Sequence, residues 1–165
     1  MTPEQLAKSG SEHAHQTAFF AYAAVAQMHG FGVADLWANG HKMPEVIALA
    51  KMYNDYKPLP MLKWMHAIAN GGSRGDTDLS RKIEGGKMKA EGVKKGVSDI
   101  CLPYNCGGNC GLYIEMKVGK NKPSPEQIEF GAFVRSQCYQ FHVCYSWQEV
   151  VAILKQYLKQ FCRNN

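Results

Sequence analysis

The sequence predicts one α/β domain with a mixed central β-sheet flanked by α-helices. Three observations carry that expectation. From residue 97 onward the apolar periodicity runs strand, strand, helix, strand, helix. The first two of those strands are joined by a hairpin-sized loop, so antiparallel neighbours are expected. The 165 residues, 45% of them hydrophobic, suffice for one compact core and are too few for two comfortable ones, so residues 1–165 are taken as a single domain.

Each element has its own local reason. Residues 11–29, SEHAHQTAFFAYAAVAQMH, have Ser11 as cap, abundant alanine, and Gly30 and Gly32 as terminators. Ala18, Phe19, Tyr22, Val25 and Ala26 recur at helical spacing and mark the buried face. A second helix is expected over 44–54, with Pro44 in its first turn. Pro58 and Pro60 then break the chain. A strand-like core follows at 62–70, then the turn GGSRGD, then a helix over 77–91 weakened by Gly85 and Gly86. Strands are expected at 97–104 and 111–118. In SPEQIEFGAFVRSQ, Ser124 caps a helix, Pro125 takes its first turn and Gln127 sits where a capping box places its amide. YQFHVCYS reads as a strand and WQEVVAILKQYLKQF as a terminal helix.

Composition excludes several classes. Charged residues make up an ordinary 20%, which argues against wholesale disorder. The N-terminus lacks the basic start and apolar run of a signal peptide, and no apolar stretch approaches the ~20 residues of a membrane span. A cytoplasmic location without membrane attachment is therefore expected, with the six cysteines mostly reduced. Cys101, Cys138 and Cys144 are expected to pack as small hydrophobes. The net charge of +5 is compatible with a polyanionic partner.

The chemistry concentrates in GLYIEMKV, residues 111–118. Glu115 and Lys117 stand two apart in a strand, so both point to one face. Asp99, in VSDICL on the neighbouring strand, would meet them at one edge of the sheet. Two carboxylates held close in low dielectric repel and usually need a cation. Mg²⁺ suits carboxylates and phosphate oxygens, with Mn²⁺ as its substitute. The Lys117 ammonium would serve an attacking water or neutralise phosphate charge. The pattern points to phosphodiester hydrolysis, with Asp99 and Glu115 holding the metal. The substitutions Asp99→Ala and Lys117→Ala are expected to remove cleavage while leaving folding and DNA binding largely intact.

Taken together, GGKMKAEGVKKGVSDICLP, GLYIEMKV and SPEQIEFGAFVRSQCYQFHVCYSWQEVVAIL resemble the VRR-NUC (virus-type replication-repair nuclease) family. That family is a branch of the PD-(D/E)XK nucleases with a restriction-endonuclease-like core. The likeness is strong over residues 66–158 and weaker over the helix at 11–29; residues 31–60 carry none. The resemblance implies that Asp99 is the family's metal-binding aspartate and that Glu115 and Lys117 are its E-x-K. It implies that Glu12 completes the metal site and that Gln127 lies near it. By analogy with the wider fold, the Met116 carbonyl is a further metal ligand. Ser98 stands where the family usually has proline. The implied activity is a Mg²⁺-dependent deoxyribonuclease acting on branched DNA such as a Holliday junction, in replication, recombination or repair. Stand-alone members are viral or bacterial, which implies a bacterial host or phage-infected cell, and they commonly form homodimers. No small-molecule cofactor is implied.

Basic residues frame these motifs. Arg74, Arg81, Lys82, Lys87, Lys89, Lys94 and Lys95 precede the aspartate, and Lys120 and Lys122 follow the strand. Of these, Arg74, Lys87, Lys89, Lys94, Lys95 and Lys120 are the candidate phosphate contacts. Cys106 and Cys110, in CGGNC, make only half of a zinc site, and the histidines are scattered. The alternative function is a non-catalytic nucleic-acid-binding module that retains the nuclease fold.

Overall fold

The computed structural model of the chain describes residues 1–69 and 78–159, except the side chains of 78–82 and 84. A short helix α1 (Pro3–Leu6) leads through a 3₁₀ turn into α2 (Glu12–His29), α3 (Phe31–Ala38) and α4 (Met43–Met52). A second 3₁₀ segment (Pro60–Trp64) precedes β1 (His66–Ala67), and α5 (Asp78–Ala90) follows. Then come β2 (Ile100–Leu102), β3 (Gly111–Met116), α6 (Pro125–Ser136), β4 (Tyr139–Cys144) and α7 (Trp147–Tyr157).

The four strands form one sheet in the order β1-β2-β3-β4. β1–β2 and β2–β3 are antiparallel, whereas β3–β4 is parallel. α6 makes the crossover that a parallel pair requires. The fold is thus the mixed α/β sheet flanked by helices that the sequence predicts. β2 and β3 bury Ile100, Leu102, Leu112, Ile114 and Met116. α2 lays Ala18, Phe19, Tyr22, Val25 and Ala26 into the same core, the face its spacing predicts, and α7 adds Val150 and Leu154.

Two short glycine-bearing turns shape the chain. Gly30 takes φ +94, and a Cβ there would collide with the backbone of Lys57. Between Cys106 and Asn109, Gly107 and Gly108 take φ of 62° and 80°. Cys106 and Asn109 exchange two backbone hydrogen bonds of 3.1 Å. That is a two-residue hairpin turn needing positive φ at both central positions, which accounts for the two glycines of CGGNC.

The structure corrects several expectations. Gly30 ends α2 as expected, but Gly32 does not stop the chain from entering a further helix. Gly30 caps α2 and turns the chain, and Gly32 lies inside the first turn of α3, which buries Val33 and Ala34 against α2. The predicted strand over 62–70 reduces to two residues, because Pro60–Trp64 winds into a 3₁₀ turn first. α1 was not expected; Thr2 and Gln5 form a capping box there. Cys101 and Cys144 are buried as expected, but Cys138 is exposed, at φ +63 in the turn before β4. The GGSRGD turn lies outside the described residues. No helix among the described residues is long and apolar enough to cross a membrane.

Candidate active site at the end of β3

The register of β2 against β3 places Ile100 opposite Ile114. One step further along the antiparallel pair brings Asp99 opposite Glu115. Asp99 Oδ2 accepts the Met116 amide N–H at 2.7 Å, tying the start of β2 to the end of β3. On the other side, the Lys117 N–H donates to the Cys144 carbonyl at 2.9 Å and carries the parallel ladder one residue beyond β3. The backbone of 115–117 is therefore held between two strands.

Glu115 is completely buried, and Lys117 is only 8% exposed. The Lys117 Nζ donates to Glu115 Oε1 at 2.5 Å and to the Met116 carbonyl at 2.9 Å. Glu115 and Lys117 thus share one face, as strand alternation predicts. The Gln127 Nε2 donates to the same Glu115 oxygen. Gln127 is at the same time the third residue of a capping box. Its Oε1 accepts the Ser124 N–H at 2.8 Å, and Ser124 Oγ accepts the Gln127 N–H at 3.3 Å. The N-terminus of α6 therefore anchors one oxygen of Glu115. The other, Oε2, is buried and has no hydrogen-bond partner.

The electrostatics follow from that burial. Desolvation pushes the Glu115 carboxyl up to about 7. The Asp99 and Glu12 charges add to the rise, and Lys117 opposes it by its hydrogen bond and its charge. For Lys117, burial works against the ammonium. The Glu115 contact, aided by the charges of Glu12 and Asp99, outweighs it and holds the group above the ordinary lysine value. Glu12 opens α2, half-buried, after the Ser11 cap that accepts the Ala14 N–H at 3.1 Å.

Asp99, Glu115, Lys117 and Gln127 are thus brought together at one end of the sheet. Glu12 reaches them through its charge, and no group of three His, Cys, Asp or Glu side chains close enough to share an ion occurs among the described residues. The donor set still fits a hard cation. A carboxylate oxygen buried without a partner is costly unless something positive faces it. Two further acidic charges act on the same point, and the Met116 carbonyl keeps a second lone pair.

Three features escaped the sequence. The Asp99–Met116 bond involves a backbone amide and leaves no residue signature. Ser98, at the proline position, is fully buried with its hydroxyl unpartnered. One turn along α2 from Glu12, His15 Nδ1 lies 3.4 Å from the Trp147 N–H at the start of α7, a contact across 132 residues that no local pattern records. Lys87, Lys89, Lys94, Lys95, Lys120 and Lys122 are all exposed. Arg74 and the side chains of Arg81 and Lys82 lie outside the described residues. Of the CGGNC thiols, Cys106 is buried and Cys110 exposed.

Residues 41–148 match the family model described as VRR-NUC domain. The chain belongs to the VRR-NUC family. The family is of nuclease type, and the matched segment includes Asp99, Glu115, Lys117 and Gln127 but not Glu12. It begins inside the 31–60 stretch, ahead of the residues 66–158 over which the motifs are strongest. Among solved structures, a VRR_NUC domain protein has the same fold, with a TM-score of 0.55 and 21% sequence identity, covering 90% of this chain and 88% of that one. Comparison with curated proteins returns no match.

Proposed function

We propose that this VRR-NUC chain is a metal-dependent endonuclease that hydrolyses DNA phosphodiester bonds, selecting branched substrates such as four-way junctions. The single observation that carries the reading is the buried Glu115 carboxylate. One oxygen is held by Lys117 and Gln127, the other is unpartnered, and Asp99 stands on the next strand.

In this reading Asp99, Glu115, Glu12 and the Met116 carbonyl hold Mg²⁺, with Mn²⁺ as substitute. When bound, the ion supplies Lewis-acid polarisation of a phosphoryl oxygen and lowers the pKa of its water. Gln127 fixes the Glu115 rotamer so that Oε2 stays available. Asp99 keeps the end of β3 in register through the Met116 amide. Lys117 carries a positive charge beside the site, where it stabilises developing phosphate charge and orients the attacking water. The exposed lysines of 87–95 and Lys120 contact phosphates without reading sequence. A homodimer would offer two such sites to a symmetric junction.

The test uses labelled four-way junction, flap and linear DNA, and matching RNA, with Mg²⁺, Mn²⁺ or chelator. Metal-stimulated cleavage of the junction above linear duplex is the expected result. Binding without metal-stimulated cleavage would instead assign a non-catalytic nucleic-acid-binding module. Cleavage confined to RNA would overturn the substrate.

A further inference from the structure

We propose that Cys110 and Cys138 form a dithiol site that a low-molecular-weight disulfide, such as oxidised glutathione, converts into an intramolecular disulfide. Neither residue belongs to the proposed active site, and the inference does not depend on nuclease activity. β3 and β4 run parallel with Gly111 opposite Tyr139, so Cys110 and Cys138 stand side by side just before the two strands. The Cys110 N–H donates to the Cys138 carbonyl at 2.8 Å. With standard backbone bond lengths, that contact limits the Cα separation to at most about 6.7 Å. This upper limit falls within the Cα separations that disulfides span. Both residues are exposed, whereas Cys101, Cys106 and Cys144 are buried.

The conformation of Cys138 is a second, independent observation. It has φ +63, two residues past the end of α6, where a helix usually places glycine. A β-carbon is carried there at a conformational cost that glycine would avoid. The loop such a bond would close runs from 110 to 138. It contains β3 and α6, and with them Glu115, Lys117 and Gln127. Oxidation would therefore staple the segment that carries most of the proposed site.

The chemistry balances as two thiol–disulfide exchanges. One cysteine thiolate attacks oxidised glutathione, forming a mixed disulfide and releasing one glutathione thiolate. The second cysteine thiolate attacks the protein sulfur of that mixed disulfide and releases the other. The protein loses two protons and two electrons, and glutathione disulfide is reduced to two thiols.

The full-length chain is incubated with oxidised glutathione, mapped by non-reducing peptide mass spectrometry and melted. The expected result is a Cys110–Cys138 linked peptide and a thermal midpoint raised by several degrees, both reversed by dithiothreitol. Cys110→Ser and Cys138→Ser should show neither. Cys138→Gly should lose the linkage while relieving the positive-φ position. Stable glutathione adducts on both thiols, or a bond from either to another cysteine, would overturn the pairing. A linked protein with an unchanged midpoint would overturn the stapling.

Discussion

Replacing Glu115 with glutamine separates its cost to the fold from its role toward a metal. In the fold its carboxyl titrates at about 7 against 4.5 when exposed, so the native state holds the proton more tightly than the unfolded chain. The stability from that proton is whole below pH 4.5 and is lost as pH rises through about 7. At about 1.4 kcal/mol per pKa unit, ionising this buried group costs the fold on the order of 3 kcal/mol. Glutamine cannot ionise and keeps one oxygen for the Lys117 and Gln127 donors. Without metal at pH 8, Glu115→Gln should therefore be more stable than the parent by about 1–3 kcal/mol, or about 2–4 °C in midpoint per kcal/mol. Near pH 4.5 the two proteins should converge. Mg²⁺ should cancel or reverse that advantage. At one hundred times its dissociation constant the ion adds about 2.7 kcal/mol to a protein that binds it in the native state only. The parent should gain that increment and the variant should not. Melts followed by circular dichroism at pH 5 and pH 8, with and without Mg²⁺, read all four conditions. A variant less stable than the parent at pH 8 without Mg²⁺, or an equal Mg²⁺ shift in both proteins, refutes the reasoning.

Further outcomes follow from the same geometry. Asp99→Ala should cost about 1–3 kcal/mol, because it orphans the Met116 N–H, whereas Asp99→Asn keeps an acceptor there and should lose only the Mg²⁺ response; equal melting of the two variants would refute this, and the expectation that Asp99→Ala spares folding is revised accordingly. Gln127→Glu preserves the capping box but replaces the donor to Glu115 with a like charge, so it should weaken Mg²⁺ binding in calorimetry far more than Ser124→Ala does. Lys117→Ala should abolish cleavage in the junction assay while DNA binding persists; cutting at parental rates would remove Lys117 from the mechanism. Lys87→Ala with Lys89→Ala should weaken binding to all DNA forms alike and lower the salt dependence by about one to two counterions, read from binding isotherms at several salt concentrations.

Much of the fold is legible because its causes are local. Ser124, Pro125 and Gln127 announce the start of α6 within four residues, and the capping box forms as spaced. The buried face of α2 follows from helical periodicity, and the β2–β3 pairing from a short loop. Where tertiary packing governs, the local signals mislead. Gly30 does terminate α2, but Gly32 only looks like a terminator: α3 exists because Val33 and Ala34 find cover against α2. The strand at 62–70 shrinks because Pro60–Trp64 winds into a 3₁₀ turn and leaves only His66–Ala67 to pair with β2. Cys138 reads as a strand residue and proves to be an exposed turn, since the end of α6 needs a positive φ there.

The candidate site divides the same way. By itself the sequence determined which groups could act: two carboxylates on neighbouring strands and an ammonium two residues from one of them. Strand alternation is a property of the chain alone, so it settled that Glu115 and Lys117 share a face. Only the tertiary structure decided that this face is buried, that Gln127 from a capping box occupies one Glu115 oxygen, and that the other is left unpartnered. Desolvation and unmet hydrogen bonds depend on what every other segment places nearby, and no local pattern records that.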